Sequence, residues 1–127
     1  PAGTIGVLET PESITKKIKR AVTDSDGDVR FDVEEKPGVS NLLSILAAAT
    51  SSTPEKVASS YSRYGDLKSD TADAVIALLR PIQEKFRELE SDPSETSRLL
   101  TLGSSKARDI SSATLGRAMQ NIGLLET

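Results

Sequence analysis

The feature that most constrains this chain is a helix-start signal used three times. Thr10-Pro11-Glu12, Thr53-Pro54-Glu55 and Asp92-Pro93-Ser94-Glu95 each place a side-chain oxygen, then proline, then an acid. The oxygen can accept from a free backbone amide. Proline suits the first helical position, and the acid suits the positive end of the helix dipole. Apolar spacing then fills the lengths behind these starts with helix. Behind Thr10, residues Ile14, Ile18, Ala21 and Val22 share one face of a helix predicted to reach about Val22. Behind Thr53 a short helix carries Val57 and Tyr61. Behind Asp92 a helix is predicted to about Leu102, Gly103 breaks or bends it, and a last helix runs from about Ser104 to Ile122. Its apolar line is Ala107, Ile110, Thr114, Ala118 and Ile122.

Two further helices lie between these starts. Pro37-Gly38 punctuates, and Val39 to about Thr50 follows with Leu42, Leu43, Ile45, Leu46 and a run of alanines. A helix apolar almost all round belongs at the centre of a core. From about Asp66 to Glu90, the residues Leu67, Thr71, Val75, Leu79, Ile82, Phe86 and Leu89 step by three and four, with Pro81 inside the pattern. The fold class is therefore all-α: a helical bundle of five to six helices, with a short extended N-terminal segment and an acidic turn or hairpin connector. The domain division is residues 1–9 as the extended segment and 10–127 as the helical domain.

Composition sets limits on chemistry. The aromatic fraction of 3% leaves the core to Leu, Ile, Val and Ala. A formal charge of −3 does not advertise nucleic-acid binding by the whole chain, although a local basic patch still allows it. The chain has no Cys and no His. That removes disulfides, thiolate metal sites, His general bases, Ser-His-Asp triads and the commonest zinc sites. The lack of Cys fits a cytoplasmic location, and no apolar run approaches the roughly 18 residues of a membrane span, so no membrane partner is expected. The first residue is Pro1 rather than Met, which is expected of a piece of something longer or of a processed start.

Two clusters carry possible chemistry. Lys16, Lys17, Lys19 and Arg20 put four cations in five residues on the first helix. They suit a solvated helix end, whose dipole they complement, or a contact to nucleic-acid phosphates. The connector behind them is rich in acids. Counted from Asp24, acids fall at positions 1, 3, 5, 9 and 12 (Asp24, Asp26, Asp28, Asp32, Glu35), as in a calcium loop. Position 6, which should be glycine for the sharp turn, is Val29. Pro37-Gly38 also blocks the helix that should leave such a loop. Asp26-Gly27 reads better as a tight turn between extended arms, with Val29, Phe31 and Val33 alternating along one of them.

The residues Lys16-Lys17-Ile18-Lys19-Arg20-Ala21-Val22-Thr23-Asp24, Val29-Arg30-Phe31-Asp32 and Lys36-Pro37-Gly38-Val39-Ser40-Asn41-Leu42-Leu43 together resemble the C-terminal region of bacterial-type tryptophanyl-tRNA synthetase. Tyr64-Gly65-Asp66-Leu67-Lys68, Pro81-Ile82-Gln83-Glu84 and Lys106-Ala107-Arg108 extend the likeness over essentially the whole chain. Phe31 departs from it, standing where many members carry Tyr.

The resemblance implies a class I aminoacyl-tRNA synthetase that activates tryptophan with ATP and magnesium and charges tRNA(Trp) as a homodimer. Residues 1–9 would lead out of the catalytic domain, and 10–127 would be the helical domain on the anticodon side of the tRNA. The two signatures that hold ATP in the family, His-Ile-Gly-His and Lys-Met-Ser-Lys-Ser, are absent, so the resemblance implies no catalytic, cofactor or metal residue here. The piece alone is expected to be inactive. Lys16, Lys17, Lys19 and Arg20 are the expected tRNA contacts. The alternatives are a stand-alone helical interaction module and a calcium-binding module on Asp24 to Glu35.

Overall fold

The computed structural model describes residues 3–124. Pro1, Ala2 and residues 125–127 lie outside it, and with them the two ends of the expected division into 1–9 and 10–127. Five helices follow one another: α1 Pro11–Lys19, α2 Pro37–Ala49, α3 Pro54–Ala58, α4 Tyr64–Ser91 and α5 Pro93–Asn121. Among the described residues there is no strand, so the all-α class holds.

All three start signals act as caps. Thr10 accepts from Ser13 N at 3.3 Å, Thr53 from Lys56 N at 3.4 Å, and Asp92 from Ser94 N and Glu95 N, both at 3.1 Å. In each case the proline is among the first helical residues. The acid of the third signal, Glu95, bonds forward along its own helix. Its carboxylate takes the Arg98 guanidinium, at 2.6 and 2.8 Å.

The chain divides into two compact units, residues 1–84 and 85–127. The first holds the core. Ile14 and Ile18 come from α1, and Val39, Leu42, Leu43, Leu46 and Ala47 from α2. Val57 and Ala58 of α3, Leu67, Ala72 and Val75 of α4, and Val29 of the connector complete it. α2 is the centre, as its all-round apolar sequence predicts, and it packs directly on α3. Gly38 lets its first turn lie against the chain leaving α1, since a Cβ there would stand 2.1 Å from the Val22 carbonyl oxygen. No larger residue fits that approach.

Several boundaries differ from expectation. α1 stops at Lys19, and Val22 is outside it and 83% exposed. α2 begins at Pro37, because proline is tolerated in a first turn whose amides are free anyway. The expected hairpin arms of the connector form no ladder. Val29 is buried and Phe31 half-buried, but Val33 lies in a turn and is exposed. The N-terminal segment is a turn rather than a strand, closed by Glu9 N donating to Gly6 O at 3.1 Å.

In the second unit, α5 is one helix of 29 residues. Gly103 neither breaks nor ends it, as the roughly 1 kcal/mol cost of a mid-helix glycine is small against a long ladder. No described residue of α5 is buried. Ala107, Ile110, Thr114, Ala118 and Ile122 are all exposed, so the apolar line read from the sequence is not covered by any described residue. No helix among the described residues is long and apolar enough to cross a membrane.

Candidate nucleic-acid interface

The geometry of α1 sorts its four cations. Ile14 and Ile18 are 1% and 3% exposed, which fixes one face of the helix in the core. The opposite side carries Lys16 and Lys19 together with Arg20, the residue that caps the helix, and with Glu12 and Thr15 they line an open surface hollow. Among the described residues, none of these three cations forms an ion pair. They are available to an anion.

Lys17 points elsewhere. Its ammonium donates to Thr4 O at 2.7 Å and pairs closely with Glu9 Oε1. Glu9 also accepts from Gly6 N and from the Ser13 hydroxyl, both at 2.9 Å. The Lys17 contact, with those two bonds, lowers the Glu9 carboxyl to about 2. Gln83 of α4, 9% exposed, holds the same segment from another side. Its Nε2 donates to Val7 O at 2.7 Å and to Glu9 O at 3.0 Å. Lys17 and Gln83 thus fasten residues 4–9 to two helices. The role of Gln83 gave no sign in the sequence, because its partners are backbone carbonyls more than seventy residues away.

The connector's acids have partners within the chain. Lys36, at 1% exposure, is the largest fully buried side chain. Its ammonium donates to Asp24 Oδ1 and Tyr64 Oη, each at 3.0 Å, and closely to Asp26 Oδ1. Burial pushes the ammonium down, but bonds to Asp26, Tyr64 and Asp24 more than reverse this, and its pKa lies above the usual lysine value. The Lys36 ammonium and the Asp28 amide hold Asp26 well below the usual carboxylate range. On the surface, Arg30 lies 2.7 Å from Asp28 and 3.7 Å from Asp32. Asp32 takes Glu34 N and Glu35 N on Oδ1, and its own amide donates to the buried Ser40 hydroxyl at 2.9 Å.

The two residues that would open a calcium loop therefore face a lysine ammonium. Among the described residues no group of three or more acids is placed to hold a metal. Tyr61 and Tyr64, on either side of Arg63, have hydroxyl partners. Tyr61 donates to Asp70 Oδ2 at 2.7 Å, and Tyr64 closes onto Asp24. The exposed cations of α1 are the part of this surface suited to phosphates.

Comparison with known proteins gives a consistent result. The family described as tRNA synthetases class I (W and Y) matches residues 1–80. The chain is 46% identical over 124 residues to tryptophan–tRNA ligase 1 of Streptomyces avermitilis, covering 98% of this chain and 38% of that protein. It is 44% identical over 124 residues to the tryptophan–tRNA ligase of Enterococcus faecalis, with 96% and 37% covered. The structure of tryptophanyl-tRNA synthetase from Mycoplasma pneumoniae superposes with a TM-score of 0.80 at 29% identity, over 98% of this chain and 38% of that one. The chain thus spans well under half the length of the relatives it matches.

Proposed function

The chain belongs to the class I tRNA synthetases of the tryptophan and tyrosine type, and on that footing we propose that it is the helical part of a tryptophan–tRNA ligase. The observation that carries the amino acid is the 46% identity to a tryptophan–tRNA ligase over 98% of the chain. The parent enzyme would be a cytoplasmic homodimer that activates tryptophan with ATP and magnesium and charges tRNA(Trp). ATP, magnesium and tryptophan would be held outside this chain, which carries neither family signature. The division of labour within the chain is residues 1–9 as the lead from the catalytic domain and 10–127 as the tRNA-binding domain.

Of the four cations on α1, Lys16, Lys19 and Arg20 would meet phosphates, and Lys17 would hold the N-terminal segment. A net charge of −3 does not oppose this. Lys36 and Arg30 pair with four of the connector's six acids, and phosphate attraction depends on local charge within about a Debye length. The test is a salt titration of tRNA(Trp) binding by the intact gene product. The triple reversal Lys16→Glu, Lys19→Glu and Arg20→Glu should weaken binding at low salt. It should also reduce the slope of log affinity against log salt by roughly 2 to 3. Unchanged affinity and slope would remove the α1 face from the interface.

A further inference from the structure

We propose that the hollow where α2 turns into α3 is a site for one unstacked nucleobase of a bound RNA, with the ring of Tyr61 as its stacking wall. The site rests on the reading of this chain as tRNA-binding, and adds a base contact where that reading has only phosphates. The hollow holds about 180 Å³. Pockets that enclose a whole small molecule run to roughly 300–1,000 Å³, so this one has room for a single flat group. Leu46 and Val57, 4% and 8% exposed, form its apolar part. Tyr61 adds a half-buried aromatic ring.

That ring is anchored without spending its faces. The Tyr61 amide donates to Ala58 O at 3.1 Å, just past the end of α3. Its hydroxyl donates to Asp70 Oδ2 of α4 at 2.7 Å. A phenol's hydrogen bond lies near the ring plane, so it fixes the ring and leaves the π-face to another contact. Burial and the bond to Asp70 push the hydroxyl's pKa up to about 12, and the ring stays neutral. Every base has a π-face of its own, and exposed bases of single-stranded loops stack on such rings.

The remaining lining suits the edge of a base. Thr50 spends its hydroxyl hydrogen on Leu46 O at 2.7 Å, so towards a ligand it only accepts. The hydroxyls of Ser52 and Ser60 both donate and accept. Lys56 only donates, and among the described residues it forms no ion pair. A base edge presents amino donors beside keto or ring-nitrogen acceptors, and this mixture meets both. Between Thr50 and Ser52, Ser51 stands at φ 53, a left-handed conformation that strains any residue with a side chain. The Ser52 amide closes that turn onto Ala47 O at 2.9 Å. The strained turn thus brings two hydroxyls to one hollow, and strain of this kind gathers at ligand sites.

The experiment measures binding of a tRNA(Trp) transcript to the intact gene product by fluorescence anisotropy. Tyr61→Leu should weaken binding by about tenfold, the loss expected for one stacked base. The slope of log affinity against log salt should not change, because no phosphate contact is removed. Tyr61→Phe keeps the ring and should bind like the parent. Single abasic nucleotides are then placed in turn through the loops of the tRNA. At one position the abasic tRNA should lose about tenfold with the parent and nothing further with Tyr61→Leu, as two halves of one contact do. Should Tyr61→Leu fail to fold, Ser60→Trp fills the hollow from an exposed position and should give the same loss. Parent-like binding by Tyr61→Leu or by a folded Ser60→Trp would overturn the site, as would losses that add at every abasic position. The α1 reversal would still weaken binding in that case, so this site can fail while the tRNA reading stands. A parent protein that binds no tRNA would overturn both.

Discussion

α2 and α5 have similar credentials in sequence and opposite fates in structure. α2 has 13 residues and buries Val39, Ser40, Leu42, Leu43, Leu46 and Ala47. α5 has 29 residues and, among those described, buries none. Both carry apolar residues at helical spacing, so periodicity specified helix in each case and a partner in neither. What encloses α2 is specific: a glycine that admits the Val22 carbonyl, a serine that takes the Asp32 amide, and α3 packed directly against it. α5 is held by local means, through its Asp92 cap, the Glu95–Arg98 pair and its own backbone ladder. A helix of that length exceeds the roughly 12–15 residues at which isolated helices are marginal, so it can persist without a buried face.

The most severe test of this contrast is a matched pair of truncations. Leu43 is 0% exposed and Leu100 is 67% exposed. Leu43→Ala should cost about 2–5 kcal/mol in urea unfolding, from lost transfer energy and the cavity left behind. Leu100→Ala should stay within about 0.5 kcal/mol, as surface changes do. Equal losses would mean that the apolar side of α5 is covered in solution, and the contrast would collapse.

The next test concerns the joint in front of α2. Gly38→Ala adds only a methyl group, but it must displace the backbone carbonyl of Val22, not a flexible side-chain end. Overpacking typically costs about 1–3 kcal/mol, and a backbone obstacle belongs at the top of that range. The loss should appear as a lower urea midpoint with an unchanged slope. A midpoint like the parent's would show that the connector and α2 are not held together as closely as the structure places them.

The same contrast explains what was legible beforehand. The starts at Thr10, Thr53 and Asp92 were readable because a cap, a proline and an acid act within one turn, and local chemistry is written locally. α2 was readable as central because no polar face was left to meet water. The family was readable from Lys16 to Leu43, where several specific residues stand in sequence. The basic residues of α1 were visible, but not their division. Only the burial of Ile14 and Ile18 and the position of Glu9 turn Lys17 away from Lys16, Lys19 and Arg20. The acids of the connector were visible without their partner, because Lys36 lies 10 and 12 residues from them in sequence and reaches them through the fold. Gln83 was visible only as part of the family likeness, without its role, since nothing in a glutamine announces which carbonyls it will meet. Gly103 was misread as a break because glycine's propensity was weighed without the length of helix on either side.

Gly103 supplies the smallest and most discriminating test, because it repeats the Gly38 substitution in the other environment. A Cβ at Gly103 would meet nothing within 4 Å, and the residue is exposed in the interior of α5. Gly103→Ala should then stabilise that helix by roughly 0.5–1 kcal/mol, through the backbone entropy that glycine loses on becoming helical. Circular dichroism should show the helical signal retained to higher temperature. The same methyl group would thus lower stability at Gly38 and raise it at Gly103, a difference of sign that intrinsic propensity alone cannot produce. A destabilising Gly103→Ala would place a neighbour against α5 at that position, and the helix would have to be counted among the packed elements.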